Sequence, residues 1–314
     1  MNKIYLITGG CGFIGSHIID ELLQIKDCII VNIDKMGVGS MLENIKDSVV
    51  NYFIDINSED IFNIFERYRP DYVIHCAAES HVDRSIEDPM LFIDSNVRGS
   101  TMILEAVKRY VPNSRVVHVS TDEVYGHLKL EDLPFTEKSA ISPRSPYSAS
   151  KASSDMIAFS YKETYGLDIT VTRCCNNYGP RQNYEKLIPT ILKCLKSGEK
   201  IPVYGDGKNI REWIYVKDHA KALVEILHNH SNVKLRNIYG QELLSNLQLI
   251  NYIIKEFLKS SDYNLDDYIK FVDDRKGHDF KYAMSSLFDD VESLKNQVNF
   301  SDGIMDTIKY YSNK

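Results

Sequence analysis

Tyr147 and Lys151 stand four residues apart in Pro146-Tyr147-Ser148-Ala149-Ser150-Lys151, a spacing that puts both on one face of a helix. An ammonium held beside a phenol favours the phenolate and lowers its pKa from about 10. The pair therefore predicts a proton acceptor that works near neutral pH. Upstream, Thr121, Asp122 and Glu123 follow the apolar run 115–119. One hydroxyl, two carboxylates, a phenol and a lysine are more than a simple hydride transfer requires. They suit a reaction that also moves protons on and off carbon and expels water.

Such groups need a scaffold that gathers them, and open α/β sheets do so at the carboxyl ends of their strands. The run 3–8 reads as a strand. It enters the G-x-x-G-x-x-G loop Gly9-Gly10-Cys11-Gly12-Phe13-Ile14-Gly15, followed by an apolar-periodic helix to about residue 26 and a second strand, 28–33, ending in Asp34. Glycines permit a tight turn and close backbone approach, and the helix amino terminus favours a pyrophosphate. An acid after the second strand bonds a ribose 2′-OH and repels a 2′-phosphate, so NAD is expected over NADP.

A third strand (49–54) leads to Asp55-Ile56, placed to meet an adenine. A helix over 58–68 stops before Pro70. A fourth strand (71–76) leads to Ala77-Ala78, small enough for a cofactor to lie on the backbone, and then to Glu79-Ser80-His81-Val82-Asp83-Arg84-Ser85. A long helix over 89–110, the strand 115–119, a helix from 146 to about 166 and a sixth strand (168–173) complete the alternation. That rhythm predicts an α/β, Rossmann-type doubly wound parallel sheet.

After Cys175 the rhythm changes. The turn-rich 176–181, a helix from about 185, a strand and turn over 201–207, a strand over 209–216 and a helix from 216 come first. A helix near 245–258, a strand near 268–272 and the basic loop 274–279 follow. This portion reads as a smaller α/β C-terminal substrate domain. Arg211 and Arg275 could clamp a diphosphate by bidentate bonds, and Tyr204 could stack on a base. The expected division is 1–175 plus about 208–238 for NAD, and about 176–207 plus 239–314 for the nucleotide-sugar.

At 314 residues the chain suits two domains. With 43% apolar and 26% charged residues it has the composition of a soluble globular protein, and its net charge of −7 disfavours general nucleic-acid or membrane-surface binding. Six cysteines without a C-x-x-C pair read as reduced, buried thiols, which suits the cytoplasm. No apolar run reaches about 18 residues, and no histidine spacing suggests a metal.

AAESHVDRS (77–85), STDEVYG (120–126), PYSASKASSD (146–155), NNYGP (176–180), EKLIP (185–189), VYGDG (203–207) and DRKGHD (274–279) together resemble the extended short-chain dehydrogenase/reductase family. Within it they are most similar to the nucleotide-sugar 4,6-dehydratases, typified by the dTDP-glucose enzymes. The resemblance implies that Tyr147 takes the sugar 4-OH proton while hydride passes from C4 to NAD⁺. Glu123 then removes the C5 proton, Asp122 protonates the departing C6 hydroxyl, and hydride returns to C6. Thr121 would bond the 4-oxygen, and Lys151 would hold the nicotinamide ribose and tune Tyr147.

By the same resemblance Phe13, Ile14, Asp34, Lys35, Asp55, Ile56, Ala77, Ala78, Ser95, Tyr147, Lys151 and Asn177 would touch NAD. Ser80, Thr121, Asn176, Lys186, Leu187, Val203, Tyr204, Arg211, Asn246, Arg275 and His278 would touch the nucleotide-sugar. A homodimer joined by the 89–110 and 146–165 helices as a four-helix bundle is implied.

Met36-Gly37-Val38-Gly39 replaces the family's usual threonine–tyrosine–alanine–glycine run, and Arg181 follows NNYGP where an aromatic is usual. These departures lie near the expected pocket. They leave dTDP-glucose and UDP-glucose as candidate substrates, with UDP-N-acetylglucosamine 4,6-dehydration as an alternative. A 4-epimerase or decarboxylase of the same fold is a further one, which Asp122-Glu123 argues against.

Overall fold

Short apolar segments rich in valine and isoleucine pair side by side and in parallel, as strands buried on both faces do. The computed structural model describes residues 2–229, 232–274 and 277–314. Its strands are β1 (Lys3–Thr8), β2 (Cys28–Ile33), β3 (Val50–Tyr52), β4 (Tyr72–His75), β5 (Arg115–Thr121), β6 (Asp168–Cys174), β7 (Asn176–Tyr178), β8 (Ile201–Tyr204), β9 (Ile210–Tyr215), β10 (Leu235–Ile238), β11 (Glu242–Ser245) and β12 (Ile269–Val272). The main sheet has the order β10-β6-β5-β4-β1-β2-β3, and all six of its pairings are parallel. The order reverses between β1 and β4, which makes the crevice beyond their carboxyl ends the switch point where such sheets bind ligands.

Side-chain alternation builds a core on each face. Ile7, Val117 and Val119 pack on one side with Ile18, Leu22 and Leu223. Leu6, Val116 and Val171 pack on the other with Ile103, Leu104 and Ala158. All seven residues of β5 are buried, which fixes the strand that carries Thr121.

A second body of structure holds the three-stranded sheet β11-β9-β7 and the parallel pair β12-β8. Its own core joins Ile188, Trp213, Ile250 and Ile304 and draws on helices Leu187–Ser197, Asn246–Leu258 and Phe300–Ser312. Because β7 starts two residues after β6, the chain passes from the main sheet to the small one beside the crevice. β9 pairs with β7 in the small sheet, whereas β10 extends the large one.

Several elements differ from the sequence expectation. The 89–110 helix is continuous in path but not in pitch: helical turns over Pro89–Phe92 and Gly99–Tyr110 flank a widened, π-type stretch over Ile93–Arg98. Within that stretch Asn96 turns its amide onto the Glu79 backbone, accepting from its N–H at 2.8 Å and donating to its carbonyl at 3.0 Å. Wider turns of this kind recur at functional sites. A helix over Val82–Glu87, capped by His81, occupies what reads as loop. Strands β10 and β11 and the helix Phe300–Ser312 were not anticipated, because four-residue strands and an apolar pattern broken by polar residues give little periodicity.

Candidate active site

Three local structures aim side chains at the switch point. In the glycine loop, Gly9 has φ +76° and a Cβ there would stand 2.9 Å from the Ala77 backbone, while a Cβ on Gly15 would strike the Gly9 carbonyl at 2.1 Å. Only glycine lets the turn close so tightly against β4 and the helix Phe13–Leu22. Asp34 at the end of β2 secures the loop. One carboxylate oxygen accepts from the Cys11 N–H at 2.9 Å; the other accepts from the Met36 N–H and the Ser40 hydroxyl, both at 2.8 Å.

The second structure is the helix Pro146–Tyr165. Ser145 and Ser148 form a reciprocal capping box, Pro146 occupies the first turn, and Gly166 ends the helix at φ +69°. Tyr147 therefore sits in a pinned first turn, edge-on to Phe92 with ring centroids 6.2 Å apart. Lys151, one turn on, is buried and donates from Nζ to the Val119 carbonyl at 2.8 Å.

The third is the carboxyl end of β5. Thr121 caps a short 3₁₀ turn over Asp122–Tyr125. Its Oγ1 accepts from the Glu123 N–H at 3.3 Å and donates to Asp122 Oδ1 at 3.2 Å.

One cleft is lined by all three structures. Of the expected cofactor residues it collects Gly9, Gly12, Phe13, Ile14, Gly15, Asp34, Lys35, Ile56, Ala77, Ala78, Ser95, Tyr147, Lys151 and Asn177; of the catalytic and substrate residues it collects Ser80, Thr121, Asp122, Glu123, Asn176 and Lys186. Asp55 stands behind Lys35, 3.7 Å from its Nζ, and Lys35 also reaches Glu79 at 3.1 Å. Asn177 is oriented by His219, whose ring N–H donates to its amide oxygen at 2.8 Å. Lys186 donates to the Ser80 carbonyl at 2.8 Å and so ties the two walls together.

Among the described residues, the other expected substrate contacts are not part of this cleft's lining. Val203 is in the core of the second body, and Leu187 packs against that core. Tyr204 is at the exposed end of β8, Asn246 opens a helix, and His278 pairs with Asp274 at 2.6 Å. Arg211 spends its donors on the carbonyls of Ile210, Asp279 and Phe280, with its guanidinium over the Tyr282 ring at 4.5 Å. Arg275 lies outside the described residues. Conversely, Val119, Cys76, Cys174, Glu79 and Gln182 line the cleft without having been singled out. The strand-end rule points at the first three; the reversal that brings Gln182 back leaves no mark in a one-dimensional pattern.

Burial and neighbouring charge set the proton affinities. Burial, then the Glu123 charge, pushes the Asp122 carboxyl up to about 8, so Asp122 is an acid at neutral pH. Lys151 is lowered by burial and partly restored by Asp155. The expected lowering of the Tyr147 phenol is not what the protein environment alone produces. Burial and the Glu123 charge raise it well above the ordinary value, opposed by the Thr121 hydroxyl; the lysine ammonium faces the Val119 carbonyl instead.

A seven-stranded parallel sheet, a glycine loop under its first helix and a Tyr-x-x-x-Lys helix beside the fifth strand define an extended short-chain dehydrogenase/reductase. The chain belongs to the GDP-mannose 4,6-dehydratase family, whose pattern it matches over residues 6–286. It is 41% identical to the dTDP-glucose 4,6-dehydratase of Salmonella typhimurium strain LT2 over 98% of its own length and 92% of that protein's. To the dTDP-glucose 4,6-dehydratase of Neisseria gonorrhoeae it is 39% identical, covering 98% and 95%. Among solved structures it matches DesIV, a dTDP-glucose 4,6-dehydratase from Streptomyces venezuelae with NAD bound, with a TM-score of 0.89 and 36% identity over 99% of this chain and 97% of that one.

Proposed function

We propose that this chain is an NAD-dependent nucleotide-sugar 4,6-dehydratase that converts dTDP-glucose to the 4-keto-6-deoxy sugar. The observation that carries the reading is the pair Asp122-Glu123 at the end of β5: one carboxyl held neutral by burial, the other adjacent to it, both in the cleft with Tyr147. An elimination across C5 and C6 needs a base and an acid at once, and a 4-epimerase needs no such pair at those two carbons. Names and cofactor of the similar proteins agree with this.

The residues fit NAD. The glycine turn lets the backbone come close, and the helix Phe13–Leu22 presents its amino terminus to the pyrophosphate. Asp34 stands for the ribose, and the cleft continues past Ile56, Ala77 and Ser95 to Tyr147 and Lys151. When bound, the dinucleotide supplies the acceptor for the C4 hydrogen, the donor that returns it to C6, and a positive ring charge. Tyr147 takes the 4-OH proton. Glu123 takes the C5 proton, made acidic by the new ketone, and later returns it. Asp122 gives its proton to the C6 oxygen as the C–O bond breaks. Lys151, fixed by Val119, holds the nicotinamide ribose.

The two-part division expected from the sequence serves this scheme, with the large sheet holding NAD and the small body closing over the sugar nucleotide. The free cysteines support action in the cytoplasm; among the described residues no helix is long and apolar enough to cross a membrane. Exposed Met90, Ile93 and Met156 on the 89–110 and 146–165 segments support pairing of two copies through a four-helix bundle. Sedimentation should give a mass twice that of the chain; a monomer at micromolar concentration would contradict it.

Substrate identity is tested by incubating the holoenzyme separately with dTDP-glucose, UDP-glucose and UDP-N-acetylglucosamine and following the proton NMR spectrum. A new C6 methyl signal is expected with dTDP-glucose. A methyl signal only with UDP-N-acetylglucosamine would overturn the substrate, and C4 epimerisation without any methyl signal would overturn the reaction.

A further inference from the structure

A cofactor that accepts a hydride and returns it within one turnover is useful only while it stays in place. Two strips of chain border the cleft where NAD would lie. One follows Asp34 and contributes Gly37, Val38, Gly39 and Ser40; the other contributes Gln182 and Asn183. The strips approach each other: a Cβ on Gly39 would stand 3.9 Å from Asn183 Nδ2. The first strip is fastened to the glycine loop and to β2. Ser40 Oγ donates to Asp34 at 2.8 Å, and the Met41 N–H and Asn44 Nδ2 each donate to the Cys11 carbonyl at 2.9 Å. Glu43, on the 3₁₀ turn Leu42–Asn44, is exposed on the outer side of this strip.

The helix Phe300–Ser312 belongs to the second body, where Ile304, Ile308 and Tyr311 are part of the core. Its last turn reaches both strips. Tyr310 Oη donates to Glu43 Oε1 at 3.0 Å. Lys314 Nζ donates to the same oxygen and lies over the Tyr310 ring at 4.6 Å. The Lys314 ammonium holds the Glu43 carboxyl below its ordinary value, so both members of the pair are charged at neutral pH. Tyr311 is buried and donates from Oη to the Gln182 carbonyl. Tyr184 packs edge-on against the Tyr311 ring, with centroids 5.4 Å apart.

We propose that the end of this helix is a latch on the cofactor: Tyr310 and Lys314 hold the Glu43 strip, Tyr311 holds the Gln182 strip, and NAD leaves by parting them. Tyr310, Tyr311 and Lys314 are positioning residues, since none of them lines the cleft. Each contact at an exposed position is weak by itself. Opening the rim breaks them together, and that is where the retention comes from. The inference rests on the NAD-dependent dehydratase reading and adds to it what keeps the dinucleotide in place between its two hydride transfers.

The test is the rate at which holoenzyme loaded with isotopically labelled NAD loses its label to an excess of unlabelled NAD, read by rapid gel filtration. The double variant Glu43→Ala with Tyr311→Phe should lose label about tenfold faster than wild type. Its kcat for dTDP-glucose at saturating NAD should be unchanged, and without added NAD its product formation should fall off sooner. Equal rates of label loss would overturn the latch. So would faster loss matched by an equal fall in kcat, which marks general loosening. Should the double variant fail to fold, a charge reversal at the surface decides. Glu43→Lys should speed label loss a few-fold, and adding Lys314→Glu should restore the slow rate; no acceleration, or no restoration, would overturn the proposal. Label loss is read without sugar. Absence of any product from wild-type enzyme with all three sugar nucleotides would therefore refute the dehydratase reading and leave the latch to be judged by exchange alone.

Discussion

Two adjacent carboxyls at one strand end divide acid from base through their surroundings. Asp122 faces the protein interior and is held up to about 8 by burial and by the charge of Glu123; Glu123 is only partly buried. With Asp122 as the proposed acid, turnover should fall as pH rises through about 8, where that carboxyl loses its proton. A pH profile of kcat with a single-proton alkaline limb near that value is the expected result, and a flat profile to pH 10 would remove Asp122 as the acid. The same shift carries a stability consequence. The folded chain retains a proton that the unfolded carboxyl, at 3.8, has lost, so this residue's contribution to stability declines as pH rises from about 4 through about 8. At this scale the sequence was highly informative about residue type and position: Thr121, Asp122, Glu123, Tyr147 and Lys151 all line one cleft. The acid role also anticipates the burial that raises Asp122, but the sequence was silent on where the Lys151 ammonium points, which depends on a strand distant in the chain.

The helix Pro146–Tyr165 extends the reactive face inward by one further turn. Tyr147, Lys151 and Asp155 follow at intervals of four, and Asp155 is wholly buried, accepting from Arg173 Nε on β6 at 3.0 Å. His118 on β5 approaches the same carboxylate at 3.7 Å, its ring held neutral by burial and by the Lys151 charge. The Arg173 guanidinium lies over Tyr125 at 4.6 Å. Removing the only carboxylate from such a pair strands a buried guanidinium, at a cost of about 3–5 kcal/mol. Asp155→Asn should lower the urea midpoint accordingly; an unchanged midpoint would show the pair to be solvated. Helix and strand boundaries near the site were legible because capping serines, Pro146 and Gly166 are strong local signals. The widened turns at Ile93–Arg98 were not; they carry Asn96, whose bonds to the Glu79 backbone are a contact that sequence spacing does not encode.

Across the whole molecule, the main sheet supplies a fixed floor and the second body supplies a wall, joined where β6 runs into β7. Lys186 to Ser80 and Arg144 to Asp279, at 2.8 Å each, cross between them. The sequence disclosed the βαβ rhythm of the floor well and the wall only in outline, because the small sheet is assembled from β7, β9 and β11, strands of three to six residues that come together from separate stretches of chain. What the arrangement accomplishes is an elimination whose C4 hydrogen never leaves the site. The most direct test is to supply dTDP-glucose deuterated at C4 and locate the label in the product by NMR and mass spectrometry. The account predicts one deuterium in the C6 methyl group with C4 present as the ketone. Deuterium returned to C4, or lost to solvent, would contradict it.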